Sequence, residues 1–332
     1  MNTIIMCAVK TIVISIVVVL STACGQHYNY VKDFPEKRNL SYDTVPYNAA
    51  EINLLLINPM SGGFKVGELL KSEHHFALLD NDLNEIVRFG RNERGPEEFI
   101  NARFVGMTEI SDDSLSLLIR DWTKGRLYST SVNIHDGNTH SSLLREYPTS
   151  MRAIYPLDNG TFLCSNEANR YFFDNNGTTI YLEGWGEDIN EALENSDIYI
   201  PDNQTSEFFS RDGSRLLIYS VSYPILYLHS MKDGALLNKT YVQMRPEDFP
   251  DKGYCPVYFG GGGYVGDHIV LLLCNDSNES SQILIFDKNL KPFVSYDVPY
   301  VNTMDIDSDT GTGFSLDYEN ELIYMFDLSQ WL

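Results

Sequence analysis

Short apolar runs separated by polar turns cover most of the chain after residue 50. Representative runs are HHFALLD, RLLIYSV, HIVLLLC and QILIFD. They are rich in β-branched and aromatic residues, and many alternate between apolar and polar positions, which is typical of strands that turn one face to a core. The pattern predicts an all-β protein with a single short helix at 189–195.

Turn residues between these runs support the same interpretation. Five Asn-Gly or Asp-Gly pairs separate apolar runs, and such pairs are strong hairpin signals because both residues tolerate a positive φ. The pairs begin at Asp136, Asn159, Asn176, Asp212 and Asp233.

The hairpins recur along the chain at irregular intervals of about 40 to 50 residues, the range typical of propeller blades. Examples are FALLDNDLNEIVRFG and LIFDKNLKPFVSYDV. The length available predicts a six-bladed β-propeller over residues 51–332. Because ring closure removes exposed sheet edges, we expect a strand at 51–58 to pair with the last blade at 322–328.

The first 24 residues have the features of a bacterial lipoprotein signal. Lys10 precedes an apolar run, TIVISIVVVL, that is too short to span a bilayer, and small residues precede Cys24. We predict acylation of Cys24, followed by a tether over residues 25–50. The alternatives are a secretory signal cleaved nearby or an amino-terminal anchor helix. All three place the folded part outside the cytoplasm.

Charge limits the class of partner. The chain has 24 Lys and Arg residues against 46 Asp and Glu residues, a formal net charge of −22. Nucleic-acid binding needs a basic surface, so we expect no nucleic-acid partner, and the lipid is expected to hold the protein at the membrane. Gly25 after the cysteine favours the outer membrane. The absence of an acidic run after Cys24 favours the periplasmic face over the cell surface.

Three cysteines follow Cys24. Cys164 and Cys274 lie in apolar runs, where a free cysteine behaves as a small buried hydrophobic residue. The alternative is a disulfide between Cys255 and Cys274 in an oxidising compartment.

The segment FGRNERGPEEF, residues 89–99, resembles the Gly-x-Gly-Pro-Gly-Glu-Phe segment of the TolB-like six-bladed β-propeller lipoproteins. The preceding hairpin and the signal also fit this family. Here Glu97 replaces the third glycine of the pattern, which leaves the role of that glycine without a counterpart. The resemblance implies a propeller in the cell envelope and implies no settled activity.

Several residues near this segment are candidates for ligand binding. Arg91 and Arg94 could bind an anionic ligand at a channel mouth, with Glu98 pairing to Arg91, Arg94 or Arg103. A structural clasp between the first two blades is the alternative role. Trp122 could stack on a sugar, and its alternative role is packing between blades.

The sequence has few features that indicate a metal site or a catalytic nucleophile. The seven histidines show no HxH or HExxH spacing. Asp305, Asp307 and Asp309 alternate as at the start of a calcium loop, but Leu316 stands where the closing glutamate should be. We therefore expect a solvated acidic loop, and no cofactor. The chain has no GxSxG motif, and the glycines at 260–263 favour a close backbone approach on an inner strand.

These observations predict a lipid-anchored binding or interaction module for a glycan, peptide or protein of the cell envelope. Function on a propeller resides in its loops and channel. The alternative is a hydrolase or lyase with its site at the central channel. A polar cluster with two carboxylates or three histidines in the channel would favour catalysis.

Overall fold

The computed structural model describes residues 29–46, 53–59, 63–70, 72–91, 99–111, 113–157, 161–166, 171–175, 178–182, 205–249, 255–275, 280–317 and 319–332. Within these ranges the chain is almost entirely β-structure, with short 3-10 helices at Pro246–Asp248 and Ser329–Trp331. The all-β prediction is confirmed, and the helix expected at 189–195 lies outside the described residues.

Three strands precede the sheets in the chain. They are β1 (Asn29–Val31), β2 (Glu36–Asn39) and β3 (Tyr42–Pro46). The first sheet then contains β4 (Asn53–Pro59), β5 (Lys65–Leu70), β6 (His74–Leu79) and β7 (Glu85–Arg91). The second contains β8 (Ala102–Ile110), β9 (Ser114–Asp121), β10 (Arg126–Asn133) and β11 (Thr139–Glu146). The third contains β12 (Met151–Pro156), β13 (Thr161–Asn166), β14 (Tyr171–Asn175) and β15 (Thr178–Tyr181).

The remaining strands form two larger sheets. The fourth sheet contains β16 (Thr205–Phe209), β17 (Arg215–Ser220), β18 (Ile225–Ser230) and β19 (Leu236–Val242), with β1 at its outer edge. The fifth has nine strands in the order β2-β23-β22-β21-β20-β24-β25-β26-β3. Its carboxy-terminal strands are β20 (Val257–Val265), β21 (His268–Asn275), β22 (Ser280–Phe286), β23 (Pro292–Pro299), β24 (Met304–Asp307), β25 (Thr312–Asp317) and β26 (Leu322–Asp327).

The segment expected to be a tether is largely paired into the sheets. β1 pairs in parallel with β19, β2 pairs in parallel with β23, and β3 pairs in antiparallel with β26. The strand predicted to close the last blade, at 51–58, was therefore misplaced. β4 pairs with β5 instead, and β3 supplies the closing strand. All four residues of β2 are exposed, and the strand is held by its backbone pairing with β23. Its sequence therefore has no apolar pattern from which the strand could be predicted.

The first strands of neighbouring sheets converge at the centre of the molecule. β20 and β24 pair in parallel through Gly261 with Met304 and Gly262 with Asp305. A Cβ atom on Gly261 would lie 2.1 Å from the carbonyl oxygen of Met304, so only glycine fits. The close approach expected for the glycine run is confirmed. β4 lies beside β24, and β16 lies beside β20.

Apolar side chains fill the space between adjacent sheets. One cluster joins Leu217, Leu226 and Leu228 of the fourth sheet to Ile269 and Leu271 of the fifth. Burial of such side chains contributes about 1.5–3 kcal/mol each. Cys164, Cys255 and Cys274 are buried thiols, so the alternative disulfide between Cys255 and Cys274 is not formed.

Strand direction defines two faces of the molecule. The connection face carries the segments that link one sheet to the next, such as 91–102 and 146–151. The turn face, at the other end of the strands, carries the turns between the first and second strand of each sheet, such as 209–215. Gly213 in that turn has φ of 66°, as its Asp-Gly pair predicts.

We predict that Gly261→Ala disrupts the pairing of β20 with β24 and lowers the free energy of unfolding by about 2 kcal/mol or more, because the added methyl group meets backbone. Gly106→Ala is the matched control, since its Cβ would meet nothing within 4 Å; it should change stability by less than about 0.5 kcal/mol. Urea unfolding measures both. Equal stability of the two variants would contradict the assignment.

Candidate functional site

The connection from the first to the second sheet is fastened by a buried aspartate. The Phe99 N–H donates to the Arg91 carbonyl at 3.1 Å, and the Ile100 N–H donates to Asp121 Oδ2 at 2.9 Å. Asp121 Oδ1 also accepts from the Lys124 N–H at 3.0 Å. Arg91 is exposed at the end of β7. Arg94 and Glu98 lie outside the described residues, so the ligand-binding role of this segment stays a prediction.

Arg103 pairs with a glutamate that the sequence analysis did not single out. Its guanidinium donates to Glu68 Oε2, while Glu68 Oε1 accepts from the Phe104 N–H at 3.0 Å. Glu68 is 4% exposed and lies on the second strand of the first sheet. The pair therefore ties the first sheet to the first strand of the second.

Trp122 covers a buried arginine. Its ring centroid lies 3.5 Å from the Arg120 guanidinium carbon. Arg120 also donates through Nε to the Tyr147 hydroxyl at 2.8 Å and through Nη2 to the Met151 carbonyl. Desolvation lowers the pKa of Arg120, and the tyrosine opposes this shift. Trp122 thus packs on Arg120, and its stacking on a sugar stays a prediction.

Glu207, on the first strand β16, is surrounded by hydroxyl groups. Tyr171 donates to Glu207 Oε2, and its oxygen lies 2.9 Å from Thr205 Oγ1. Desolvation raises the pKa of Glu207, while hydrogen bonds from Tyr155 and Tyr171 and the charge of Arg120 oppose the increase. A charged side chain is thus retained among aromatic and hydroxyl groups in β16, whose sequence is TSEFF.

Asp305, on the first strand β24, is the second desolvated carboxyl group. Burial raises its pKa to about 7, and the nearby charge of Glu68 adds to the increase. Asp305 nevertheless keeps part of its surface accessible to solvent. Partial access together with strong desolvation is expected of a carboxyl group on the wall of a narrow internal channel.

These side chains form one group, which we call the channel-wall group. Asp305 and Glu207 both act on the phenol of Tyr219, whose pKa rises through desolvation and through these two charges. Arg120 acts on both Tyr155 and Glu207. Its members are Glu68, Arg103, Arg120, Tyr155, Tyr171, Glu207, Tyr219 and Asp305.

First strands supply half of the channel-wall group. Arg103, Tyr155, Glu207 and Asp305 come from β8, β12, β16 and β24. The glycine-rich β20 brings its backbone to the same centre. Of the group, only Arg103 and Asp305 were candidates from the sequence. A signal was present for two of the others, because Glu68 and Glu207 are charged residues next to apolar residues in strands with the sequences KVGELL and TSEFF.

The three aspartates considered for calcium have separate partners. Asp307 is buried and accepts from the Asp309 and Thr310 N–H groups at 3.0 and 3.2 Å. Asp309 lies 3.5 Å from Arg211, and Asp305 belongs to the channel wall. Across the residues that the structure describes, His, Cys, Asp and Glu side chains form no cluster of three suited to a metal.

Comparison with known proteins shows the fold and leaves the family open. No family profile matches the sequence, and no curated protein is similar to it in sequence. A member of the DUF4221 family from Bacteroides vulgatus superimposes with a TM-score of 0.53 at 8% identity, covering 87% of this chain and 96% of that one. A "putative exported protein" from Bacteroides fragilis gives 0.51 at 12%, covering 90% and 97%.

A third solved structure fixes the architecture. The β-propeller domain of Cps50 (Swd1) from Myceliophteria thermophila superimposes with a TM-score of 0.50 at 9% identity, covering 87% of this chain and 99% of that domain. The chain therefore has a β-propeller fold. The TolB-like resemblance remains a prediction. In the part of the chain that the structure describes, no helix is long and apolar enough to cross a membrane.

We predict a pH dependence of stability that Asp305 controls. Its pKa is about 7 in the folded protein against 3.8 ordinarily, so between these values the folded protein binds more protons than the unfolded chain. The free energy of unfolding should therefore fall as pH rises from about 4 to about 7. In Asp305→Asn this decrease in the free energy of unfolding should be smaller by on the order of 2 kcal/mol.

Urea unfolding at pH 4.5 and at pH 7.5 checks this pH dependence. Asp233→Asn is the control, because hydrogen bonds to Ser230 and Ala235 lower the pKa of that exposed carboxyl. The ionised Asp233 contributes its full stabilisation at pH values above its ordinary pKa of 3.8. Asp233→Asn should therefore keep the wild-type decrease in the free energy of unfolding between pH 4.5 and pH 7.5. An unchanged decrease in Asp305→Asn would refute the assignment.

Proposed function

We propose that this protein is an exported, lipid-anchored binding module whose ligand enters the central channel. The observation that carries the proposal is the convergence of Glu68, Glu207 and Asp305 with hydroxyl groups on the channel wall. Buried carboxylates and phenols are costly to desolvate. Retention of three carboxyl groups at the centre is therefore better explained by ligand contacts than by packing alone.

The ring is proposed to have six blades. The nine-stranded sheet divides at the β20–β24 pairing into two halves. In one half β2 adds in parallel to the outer edge of the antiparallel strands β20–β23, and in the other β3 adds in antiparallel to the outer edge of β24–β26. Together with the other four sheets this division gives six. The Bacteroides fragilis neighbour is named as exported, which supports the location proposed from residues 1–24. Cys24 lies outside the described residues, and its acylation and the outer membrane remain part of the proposal.

The chemistry of the wall selects the class of ligand. Carboxylate and phenol oxygens accept hydrogen bonds from hydroxyl and ammonium groups, and aromatic rings pack on the apolar faces of sugars. Arg103 and Arg120 are already held by Glu68 and Tyr147. We therefore propose a hydroxyl-rich ligand, a glycan of the cell envelope, ahead of a peptide or a protein.

Binding can be tested with the processed full-length protein and a panel of envelope oligosaccharides and short peptides. We predict that an oligosaccharide binds and that Glu207→Gln weakens its binding at least about tenfold, or about 1.4 kcal/mol. Glu146→Gln is the matched control, because that glutamate is exposed on β11 and paired only with Arg126 among the ion pairs described. Calorimetry measures both variants. An equal loss of oligosaccharide affinity in Glu207→Gln and Glu146→Gln, or no loss in either variant, would refute binding at the channel.

A hydrolase or lyase is the second candidate, and one observation favours it. Asp305, with a pKa of about 7, would hold a proton near neutral pH beside the carboxyl group of Glu68. Two carboxyl groups of different protonation are the arrangement that acid–base chemistry on sugars requires.

If a substrate screen finds turnover, Asp305→Asn should reduce kcat at least about a hundredfold. Asp113→Asn, at an exposed turn beside His135, should leave kcat unchanged. Turnover that survives Asp305→Asn would remove this candidate, and binding without turnover would leave the module as proposed.

A further inference from the structure

A second cavity opens on the turn face, away from the channel-wall group. Its volume is about 610 Å³, within the range of pockets for small organic molecules. It lies where the turns 209–215 and 265–268 meet Lys288 and the segment 329–332. Different sheets therefore contribute its walls, as is common for ligand sites.

The charged lining of this cavity contrasts with the rest of the chain. Arg211, Arg215 and Lys288 line it together with two carboxylates, Asp212 and Asp267. The protein as a whole has about two acidic residues for each basic one, 46 against 24. Two of these three cations have acidic partners, because Lys288 Nζ lies 3.5 Å from Asp267 Oδ2 and Arg211 Nη2 lies 3.5 Å from Asp309 Oδ1.

The carboxylate of Asp212 is already occupied within its own turn. Ser210 Oγ donates to Asp212 Oδ1 at 2.7 Å, and the Ser214 N–H donates to the same oxygen at 2.9 Å. These hydrogen bonds lower the pKa of Asp212 to about 2. Arg215 donates to the Lys288 carbonyl and, at 3.1 Å, to Asn289 Oδ1, which fixes its guanidinium at the cavity edge.

Two buried donors in the lining have no partner among the described residues. They are the hydroxyl group of Tyr264, a residue only 3% exposed, and Nε1 of Trp331. An indole N–H can only donate, and a buried donor without an acceptor costs about 1–3 kcal/mol.

Tyr264 is part of the cavity lining, beside Arg215 and Asp212. The charges of Arg215 and Asp212 both act on the Tyr264 phenol, and both residues belong to the lining. The other side of its ring is fixed by Phe208, whose ring centroid lies 5.3 Å away. The unmatched donor is therefore held in place without a ligand.

We propose that this cavity binds a small organic anion, whose carboxylate or phosphate group accepts from Tyr264 and Arg215 and whose body packs against Trp331. A bare inorganic ion would leave most of the volume unfilled. An acceptor-rich molecule satisfies an unmatched donor and meets the guanidinium of Arg215 at the same time. The proposal does not depend on ligand binding in the channel.

The test uses the full-length protein with D-glucuronate, D-glucose 6-phosphate, D-glucose and inorganic phosphate as probes. The chain has three tryptophans, at 122, 185 and 331, so Trp331→Phe assigns the indole N–H signal of Trp331 in an NMR spectrum. We expect one or both sugar anions to shift that signal in a saturable manner. The stronger of the two identifies the recognised group.

Arg215→Met should weaken binding of the active probe at least about tenfold. Arg126→Met, which removes the same charge from β10, should leave binding unchanged. Equal shifts with neutral glucose, equal affinity for inorganic phosphate, or no shift with any probe at millimolar concentration would each overturn the proposal.

Tyr264→Phe separates a binding role from a structural one. Because the hydroxyl group has no partner without ligand, its removal should leave the urea concentration at the midpoint of unfolding unchanged or raise it, while affinity for the active probe falls. Tyr171→Phe is the comparison, since that hydroxyl is bonded to Glu207; its urea midpoint should fall. A loss of stability in Tyr264→Phe as large as in Tyr171→Phe, with unchanged affinity, would overturn the proposal.

Discussion

The backbone pairing of β20 with β24 is the contact on which the central arrangement depends. Radial sheets can close only if their first strands approach one another, and here two of them approach closely enough to form hydrogen bonds through Gly261 and Gly262. The absence of side chains on this stretch is what permits the approach. Because the fifth sheet thereby becomes continuous, its two halves share one hydrogen-bonded ladder where the other sheets meet through side chains.

Close approach at the centre also determines the chemistry there. A side chain on a first strand has neighbours from several sheets, so a carboxyl group in that position loses most of its water. Glu207 retains hydrogen bonds from two tyrosines, and Glu68 retains Arg103. Desolvation raises the pKa of Asp305 to about 7, and the charge of Glu68 adds to the increase. The same close packing thus raises the pKa of one carboxyl group and pairs another with an arginine.

The sequence predicted those features that arise from local patterns. Period-two runs and Asp-Gly turns indicated strands and hairpins, and the glycines of β20 indicated a close approach. The pairing of residues 29–46 was not predictable, because β2 has no buried residue and its stability comes from backbone hydrogen bonds to β23. Such bonds depend on which edge lies nearby, and a local pattern carries no information about that.

The channel-wall group was missed for a related reason. Glu68, Arg120 and Glu207 come from three different sheets, and their contacts join residues far apart in the chain. A charged residue next to apolar residues of a strand could have marked each of them. Arg103 and Trp122 were candidates for ligand contact, and that role stays a prediction; in the fold Arg103 pairs with Glu68 and Trp122 packs on Arg120. The Arg103–Glu68 pair joins two sheets, which a local pattern does not show.

A net charge of −22 is compatible with an anion site on the turn face. At physiological ionic strength, charges separated by more than about 8 Å are largely screened, so a ligand in the cavity experiences mainly the groups that line it. There the donors of Arg215 and Tyr264 are fixed by Lys288, Asn289 and Phe208 before any ligand arrives. Net charge instead limits the size of the anion. A long polyanion such as nucleic acid would extend beyond the cavity onto the acidic surface, whereas a molecule that fits within it would not.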